Sequence, residues 1–288
     1  METAISTLLF KKHLNLRDIK NIKKIGINFI EEISGYNEIT NEVYEYMVKN
    51  NMGICSTHYN WEKLDISDAD EKKRIESIKV IKRDVEKMKN INGQFVIVHP
   101  IASEKPGAGL IDKKNRNIRI NLCINSLIEI VKYAYLNRVT ILIENTFSCY
   151  GLLGLGNNIE EFNHVLKKVR QLSGHHKNIA LCLDTGHANL TNNLLDYIDF
   201  FKQDIKEIHL HDNYGSPIPE KLSCNEDCHL PPGFGKINWE LFFNKLEKTS
   251  IKPLIVFENK LDYFKNKGTK FVLSSIEKFI KEKNLFNF

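Results

Sequence analysis

The sequence lacks any long apolar run, and no stretch approaches the roughly 20 residues that span a bilayer. The opening Met1-Glu2-Thr3-Ala4 places no basic segment ahead of an apolar core, so it does not have the pattern of a secretory signal. These absences predict a soluble protein of the cytoplasm that makes no contact with a membrane.

Cysteine is scarce and scattered, without the dense spacing of a disulfide scaffold. The closest pair lacks the second cysteine pair that a zinc knuckle needs, so a structural zinc site built from cysteine is not expected. Several cysteines fall in strand-like runs, where a buried free thiol is ordinary. The six cysteines are Cys55, Cys123, Cys149, Cys182, Cys224 and Cys228.

A strong excess of one charge is also missing. The 41 Lys and Arg residues against 36 Asp and Glu residues give a net charge of +5, which is weak evidence for a polyanionic partner such as nucleic acid. No Pro/Gly/Ser linker, internal repeat or low-complexity tract divides the chain. With 288 residues of which 42% are hydrophobic, the chain can bury a substantial core, and a single domain over residues 1–288 is predicted.

Short apolar runs alternate with helix-length amphipathic segments, the pattern typical of parallel strands with crossover helices. Eight such strands are the number that closes a (β/α)₈ barrel, and an open doubly wound α/β sheet is the competing architecture. The predicted strands are Ala4–Phe10, Lys24–Phe29, Gly53–Thr57, Gln94–Val98, Val139–Ile143, Ile179–Leu183, Ile205–Leu210 and Pro253–Phe257. The predicted helices are Asp70–Lys89, Asn121–Leu136, Ile159–Leu172, Trp239–Leu246 and Leu273–Ile280.

Two long loops rich in proline and glycine, Ile101–Asn115 and Asn213–Gly235, follow strands on what is predicted to be the same rim. In an α/β barrel that rim holds the active site.

Acidic and imidazole side chains lie at or just beyond the ends of the apolar runs. A charged residue after a buried strand must lie where the sheet opens to solvent, or be paired, or bind a metal. Because parallel strands deliver such side chains to one edge, we expect them to converge. The set is His58, His99, Glu144, Asp184, His187, His209, Asp227, His229 and Glu258.

Glu144 and Glu258 each follow a strand and each precede an asparagine, although they are far apart in sequence. Two carboxylates opposed across a bound metal can remove a proton from one carbon of a hydroxy-carbonyl substrate and return one to its other face or to its neighbour. The alternative for either glutamate alone is a rim residue paired with a nearby lysine.

Asp184 follows the apolar Ile179–Leu183, and Gly186 is expected to permit a tight turn that brings His187 back toward it. The pair is a plausible source of two metal ligands. Asp184 could instead simply cap the helix that follows.

In the run from Ile208 to Asn213, period-two alternation places His209 and His211 on one face. We expect His209 to be the metal ligand, and His211 or Asp212 to support a ligand or contact substrate. Asp227 and His229, and the strand-ending His99 and His58, are further candidates for metal or substrate binding. For each single histidine, an unligated hydrogen-bonded ring is the alternative. We interpret the remaining histidines as surface residues: His13, His164, His175 and His176.

These motifs together resemble the xylose-isomerase-like TIM-barrel superfamily, and more narrowly its sugar phosphate isomerase/epimerase group. The resemblance rests on Ile143-Glu-Asn, Leu183-Asp-Thr-Gly-His187, His209-Leu-His-Asp-Asn and the run Asp227-Cys-His-Leu-Pro-Pro-Gly-Phe-Gly-Lys-Ile-Asn-Trp239. It implies a divalent metal held by Glu144, Asp184, His209 and Glu258, with the two glutamates also transferring protons and His187 helping to bind substrate.

The same superfamily contains zinc-dependent apurinic endonucleases related to endonuclease IV, and all nine acidic and imidazole residues named above match their larger ligand set. Against that alternative, Cys228 stands where those nucleases tend to carry a basic residue, and the N-terminal segment lacks their glycine-rich opening. Neither long loop is strongly basic, as DNA binding would require.

The sequence therefore favours a metal-dependent isomerase or epimerase that acts on a small polyhydroxylated carbonyl compound through an enediolate. Mixed histidine and carboxylate ligands suit one to three ions of zinc, manganese or cobalt. Nucleic acid is a partner only under the nuclease alternative, and a homo-oligomer is compatible with the sequence because such barrels often pair through loops. A barrel that binds sugar or metal without catalysis is the non-enzymatic alternative.

Overall fold

The computed structural model describes residues 1–10, 13–36, 38–60, 63–101, 113–149, 154–216 and 223–287. Eight parallel strands form a closed barrel in which each strand pairs with its neighbours in chain order and the last pairs with the first, Ala4 opposite Val256. The closed barrel is thus confirmed over the open sheet. The strands are Thr3–Ser6 (β1), Phe29–Ile33 (β2), Gly53–His58 (β3), Phe95–Val98 (β4), Thr140–Glu144 (β5), Ile179–Asp184 (β6), Ile205–Leu210 (β7) and Leu254–Phe257 (β8).

Helices surround the barrel, and most of them bury an apolar face. One of them, Ile159–Ser173, buries Phe162, Val165 and Val169 at three- and four-residue spacing. Its N-cap residue Asn158 accepts a hydrogen bond from the Glu161 amide, and it ends at a glycine in the left-handed region. The described helices are Leu16–Lys24 (α1), Asn41–Lys49 (α2), Glu71–Asn90 (α3), Lys113–Leu136 (α4), Ile159–Ser173 (α5), Thr185–Leu190 (α6), Leu194–Phe201 (α7), Trp239–Glu247 (α8) and Gly268–Lys283 (α9).

The second strand was the least accurate of the sequence predictions. The range Lys24–Phe29 was wrong, because α1 continues to Lys24 and the strand runs from Phe29 to Ile33. The true strand contains the consecutive carboxylates Glu31 and Glu32, which interrupt the kind of apolar run by which most of the other strands were found. The first strand is also shorter than predicted, since Thr7–Phe10 forms a 3-10 turn.

Parts of the two long loops fall outside the described residues, namely 102–112 of the first and 217–222 of the second.

Four cysteines, Cys55, Cys123, Cys182 and Cys228, are free and buried, whereas Cys149 is disulfide-bonded, which the sequence did not predict. Within the described part of the chain, none of the helices has both the length and the apolarity that a membrane crossing requires.

Asp84 is a buried carboxylate of α3. It accepts a hydrogen bond from Ser34 through one oxygen, and the other oxygen has no partner among the described residues. Burial raises its pKa to about 6. Because this pKa lies above the unfolded value, the carboxyl contributes stability that is present at pH below about 4 and is lost as the pH rises through about 6.

Replacing Asp84 by asparagine is therefore expected to raise the free energy of unfolding at pH 8 by about 1–3 kcal/mol, and to change it much less at pH 5. Urea unfolding of the variant and the wild type at both pH values measures the difference. The exposed Asp199→Asn is the matched control and should show no such pH dependence. An Asp84→Asn variant that is less stable than wild type at pH 8 would contradict the assignment.

Candidate metal and active site

The candidate site lies at the carboxyl end of the barrel, where the predicted side chains converge. His58, Glu144 and Asp184 are the last residues of β3, β5 and β6, His209 is the penultimate residue of β7, and Glu258 directly follows β8. Their side chains are all nearly fully buried. Adjacent parallel strands thus deliver them to one point, as the sequence predicted.

His209 stands at the centre of this group. Its Nδ1 atom is 3.5 Å from Glu144 Oε2, 3.6 Å from Glu258 Oε2 and 4.0 Å from Asp184 Oδ2. This nitrogen is buried and has no hydrogen-bond partner among the described residues. A nitrogen without a partner that faces three carboxylates fits a divalent cation, which needs such mixed ligands. The four residues predicted as metal ligands therefore suit that role, which stays a prediction.

Glu144 is surrounded by imidazoles. Its Oε2 lies 2.9 Å from His58 Nε2 and 3.3 Å from His99 Nε2, and its Oε1 lies 3.1 Å from His187 Nδ1. Burial acts to raise the pKa of Glu144, but the charge of His99 and the hydrogen bonds from the histidines hold it well below its usual range. Glu144 is therefore favoured in its ionised form, in contact with three different histidines.

Asp184 has the capping role that the sequence offered as an alternative, and its carboxylate also contacts an imidazole of the site. Its Oδ1 accepts a hydrogen bond of 2.7 Å from the His187 amide, which caps α6. Both of its oxygens also lie 2.9 Å from His211 Nε2. Asn145 fixes the backbone of Asp184 by accepting from its amide and donating to its carbonyl. The capping alternative and the site interpretation are thus compatible.

A second group of possible ligands lies beside the first. Ligand atoms of His187, His211, Asp227 and His229 lie within 4.8 Å of one another. The carboxylate of Asp227 is 2.7 Å from His229 Nε2 and 3.7 Å from the ammonium group of Lys260. These four histidine and aspartate residues were all predicted from sequence, whereas Lys260 was not.

Glu258 lies between the two groups, with its Oε2 3.4 Å from His229 Nδ1 and 3.6 Å from His209 Nδ1. Burial raises the pKa of Glu258; His209 and His229 oppose this shift, and the negative charges of Glu144 and Asp184 add to it. The two glutamates that were predicted to transfer protons therefore have pKa shifts of opposite direction.

Three buried groups at the site were not predicted. Glu31 and Glu207 both contact His209 Nε2, at 3.0 and 3.2 Å, and the Cys182 thiol lies near His209 and Glu144. Burial raises the pKa of Glu207 to about 7. Glu207 lies two residues before His209 on the same strand, so period-two alternation could have placed it on the inward face.

Asp212 does not have the ligand-supporting or substrate-contacting role that the sequence suggested. It is fully buried and accepts hydrogen bonds from the amides of Asn213, Gly233 and Ile237 and from the Trp239 indole. This carboxylate therefore fixes the loop after β7 rather than contacting the site.

Of the histidines assigned to the surface, His13, His164 and His176 are exposed, and His175 is half-buried against Tyr135.

The reason for glycine at position 186 differs from the tight turn that was predicted. Gly186 lies in α6 and is not among the glycines with positive φ, so the backbone does not require glycine. A Cβ at this position would lie 1.9 Å from His211 Cε1 and 2.4 Å from His211 Nδ1. The residue is small because the His211 ring packs directly against the backbone.

Gly186→Ala is therefore expected to displace His211 from Asp184 and to lower the free energy of unfolding by about 1–3 kcal/mol. Chemical unfolding and metal content of the purified variant measure both effects. The control is Gly53→Ala, because a Cβ at Gly53 meets only the Phe29 ring at 3.5 Å. Equal stability of the two variants would show that the His211 ring moves without cost.

Comparison with known proteins agrees with this architecture. The model of the xylose isomerase-like TIM-barrel family matches residues 19–278. A protein of Methanocaldococcus jannaschii, named only as uncharacterized, is 26% identical over 209 residues, which cover 70% of this chain and 63% of that protein. The chain thus spans less than two thirds of the length of this curated relative.

Solved structures with the same fold include three proteins that match over nearly their whole length. A D-tagatose 3-epimerase-like protein is 20% identical with a TM-score of 0.75, covering 98% of this chain and 97% of that one. D-psicose 3-epimerase from Clostridium cellulolyticum, solved with D-tagatose, is 16% identical with a TM-score of 0.77, covering 99% and 98%. The IolI protein with a bound zinc atom is 18% identical with a TM-score of 0.77, covering 98% of each chain.

At these identities the structural likeness concerns the fold. The family match covers most of the chain, and the closed barrel agrees with it. The chain belongs to the xylose isomerase-like TIM-barrel family.

Proposed function

We infer that the protein is a divalent-metal-dependent isomerase or epimerase that acts on a small sugar or sugar phosphate. The observation that supports this most directly is the position of Glu144 and Glu258, whose Oε2 atoms lie 3.5 and 3.6 Å from the unpartnered Nδ1 of His209. The sugar epimerases among the solved structures of this fold agree with the proposal.

Glu144, Asp184, His209 and Glu258 would hold the cation. When bound, a divalent cation polarises adjacent carbonyl and hydroxyl oxygens of a substrate and stabilises the negative charge that develops there. Zinc, manganese and cobalt all suit these ligands.

The proton transfers belong to the two glutamates. One removes a proton from the carbon beside the substrate carbonyl, which leaves an enediolate, and the other returns a proton to the opposite face or to the neighbouring carbon. Because the two carboxylates lie at the ends of different strands, β5 and β8, which are separated by β6 and β7, they can approach the substrate from different sides.

The substrate would enter beside the least buried members of the site. The side chains of His99 and Asp227 are 14% and 12% exposed, and Lys260 is 30% exposed, whereas those of Asp184 and His209 are at 0%. Phe147 packs near His187, with ring centroids 5.1 Å apart. A polar substrate with an apolar face could therefore be held between Phe147 and the charged groups of Asp227 and Lys260.

Deuterium exchange tests this proposal across many candidate substrates at once. The purified protein, loaded with zinc, manganese or cobalt, is incubated in D₂O with a panel of ketoses and their phosphates. We expect deuterium at a carbon beside the carbonyl of one sugar, detected by NMR, and no exchange after chelation. Tight sugar binding without exchange across the whole panel would instead support the non-enzymatic barrel.

A specific observation also favours a second function, the zinc-dependent hydrolysis of DNA phosphodiesters at abasic sites. His187, His211, Asp227 and His229 form one possible ligand group, and His58, His99 and Glu144 form another. This arrangement has room for more than one cation, as polynuclear phosphodiesterases require.

Metal stoichiometry and DNA incision separate the two functions. One tightly bound ion per chain, with sugar exchange and no incision, supports the isomerase. Two or three zinc ions per chain, with cutting of duplex DNA that contains an abasic site, would support the nuclease instead of the isomerase.

The cytoplasmic location and a homo-oligomer stay predictions, which cell fractionation and light scattering test.

A further inference from the structure

We propose that Glu31 is a positioning residue that orients the His209 ring, so that Nδ1 faces the three carboxylates of the site. The inference rests on the metal site of the proposed function but not on its reaction. It concerns a residue of β2, the strand that the sequence pattern placed wrongly.

Glu31 points into the barrel rather than toward the helices. Phe29, two residues earlier on the same strand, packs inside the barrel with Ala4 and Val256, so alternation turns Glu31 inward as well. The adjacent Glu32 faces outward and pairs with Lys87 of α3. A bulge adjoins this point, because Ile30 pairs with Ile54 while Glu31 pairs with Ser56, and such bulges often aim side chains near active sites.

The Glu31 carboxylate has His209 as its nearest partner. Its Oε2 is 3.0 Å from His209 Nε2, and both side chains are fully buried. Glu207 Oε1 lies 3.2 Å from the same nitrogen but also accepts a hydrogen bond from the Ser56 hydroxyl. Nε2 therefore donates its proton toward the carboxylates of Glu31 and Glu207, and Glu31 is the closer acceptor.

The orientation of the ring follows from this hydrogen bond. When Nε2 of an imidazole carries the proton, the lone pair of Nδ1 is free to bind a cation. Nδ1 of His209 is the nitrogen that lies 3.5 to 4.0 Å from Glu144, Glu258 and Asp184. Hydrogen-bond acceptors behind a metal-binding histidine fix its tautomer and raise its basicity, and their loss weakens metal binding by about 10- to 100-fold.

Metal affinity of two Glu31 variants tests the inference. Glu31→Leu replaces the closer acceptor with an apolar side chain of similar volume, and we expect zinc to bind about 10- to 100-fold more weakly in competition with a chromophoric chelator. Glu31→Gln keeps a carbonyl oxygen that can accept the Nε2 proton, so it should recover part of the affinity. The matched control is Glu32→Gln, at the adjacent outward-facing position, which should bind zinc as wild type does.

NMR of histidine labelled with ¹⁵N gives a readout that simple packing would not change. In wild type we expect a slowly exchanging Nε2–H of His209, with and without zinc, whose chemical shift changes in Glu31→Gln and changes further in Glu31→Leu, where Glu207 at 3.2 Å is the acceptor that remains. Circular dichroism establishes folding first, and Glu31→Gln carries the test alone if Glu31→Leu does not fold.

A wild-type His209 without a proton on Nε2, or a Glu31→Gln variant identical to wild type in both zinc affinity and the Nε2–H signal, would overturn the proposal. Absence of sugar exchange in wild type would count against the isomerase alone, because the zinc and NMR measurements do not depend on turnover.

Discussion

Glu258→Gln is expected to reduce turnover of the sugar that shows deuterium exchange by about 100- to 10,000-fold, the range contributed by a positioned general acid or base. Gln has nearly the same shape as Glu but cannot exchange a proton, so the fold should be retained. The reduction should appear in kcat. It is measured as the rate of deuterium incorporation by protein whose metal content has been matched to wild type.

Matched metal content is essential because Glu258 is also a proposed ligand. Its Oε2 is 3.6 Å from His209 Nδ1, and the carbonyl oxygen of Gln remains a possible ligand. The control is Glu277→Gln, on the exposed face of α9, where Glu277 pairs with Lys281. Retention of full activity by metal-loaded Glu258→Gln would remove this glutamate from the proton transfer and favour a different base.

Asp212→Ala is expected to lower the free energy of unfolding by about 3–5 kcal/mol, because it leaves three buried donors and one half-buried donor without their acceptor. The donors are the amides of Asn213, Gly233 and Ile237 and the Trp239 indole, at 2.9, 2.9, 3.1 and 2.9 Å. Urea unfolding measures the loss. The loop after β7 also carries Asp227 and His229. Loosening of this loop should therefore also displace these two members of the second ligand group.

Conservative and surface variants separate the contribution of the carboxylate from that of its volume. Asp212→Asn keeps the volume but replaces one acceptor oxygen with a donor, so it should remain at least about 2 kcal/mol less stable than wild type. Asp262→Ala, at an exposed pair with Lys265, should change stability by less than about 0.5 kcal/mol. A loss below about 1 kcal/mol in Asp212→Ala would show that water replaces the missing acceptor.

Glycine is needed at position 235 of the same loop because a side chain there would clash with neighbouring atoms. A Cβ at Gly235 would lie 2.3 Å from Asp212 Oδ1 and 2.3 Å from the Asn213 carbonyl oxygen. Glycine at position 235 therefore permits the backbone to approach the Asp212 carboxylate closely.

Most of the barrel could be predicted because its strands are buried on both faces. Runs such as Ile179–Leu183 and Val139–Ile143 are largely apolar, and the structure places strands within one residue of both. The candidate ligands were found for the same reason. Glu144 and Asp184 stand out as charges at the ends of apolar runs, where a parallel barrel brings strand ends together.

The sequence by itself therefore determined the barrel class and most of the acidic and imidazole side chains that gather at its carboxyl end, because both depend on position along a strand. Tertiary structure alone decided which other residues contact these side chains. Glu31 contacts His209 from a strand that its charged residues made hard to recognise, and Asp212 fixes a loop through hydrogen bonds. Those assignments depend on which face of a strand meets which neighbour across the barrel, and alternation along one chain segment cannot supply the distances between segments.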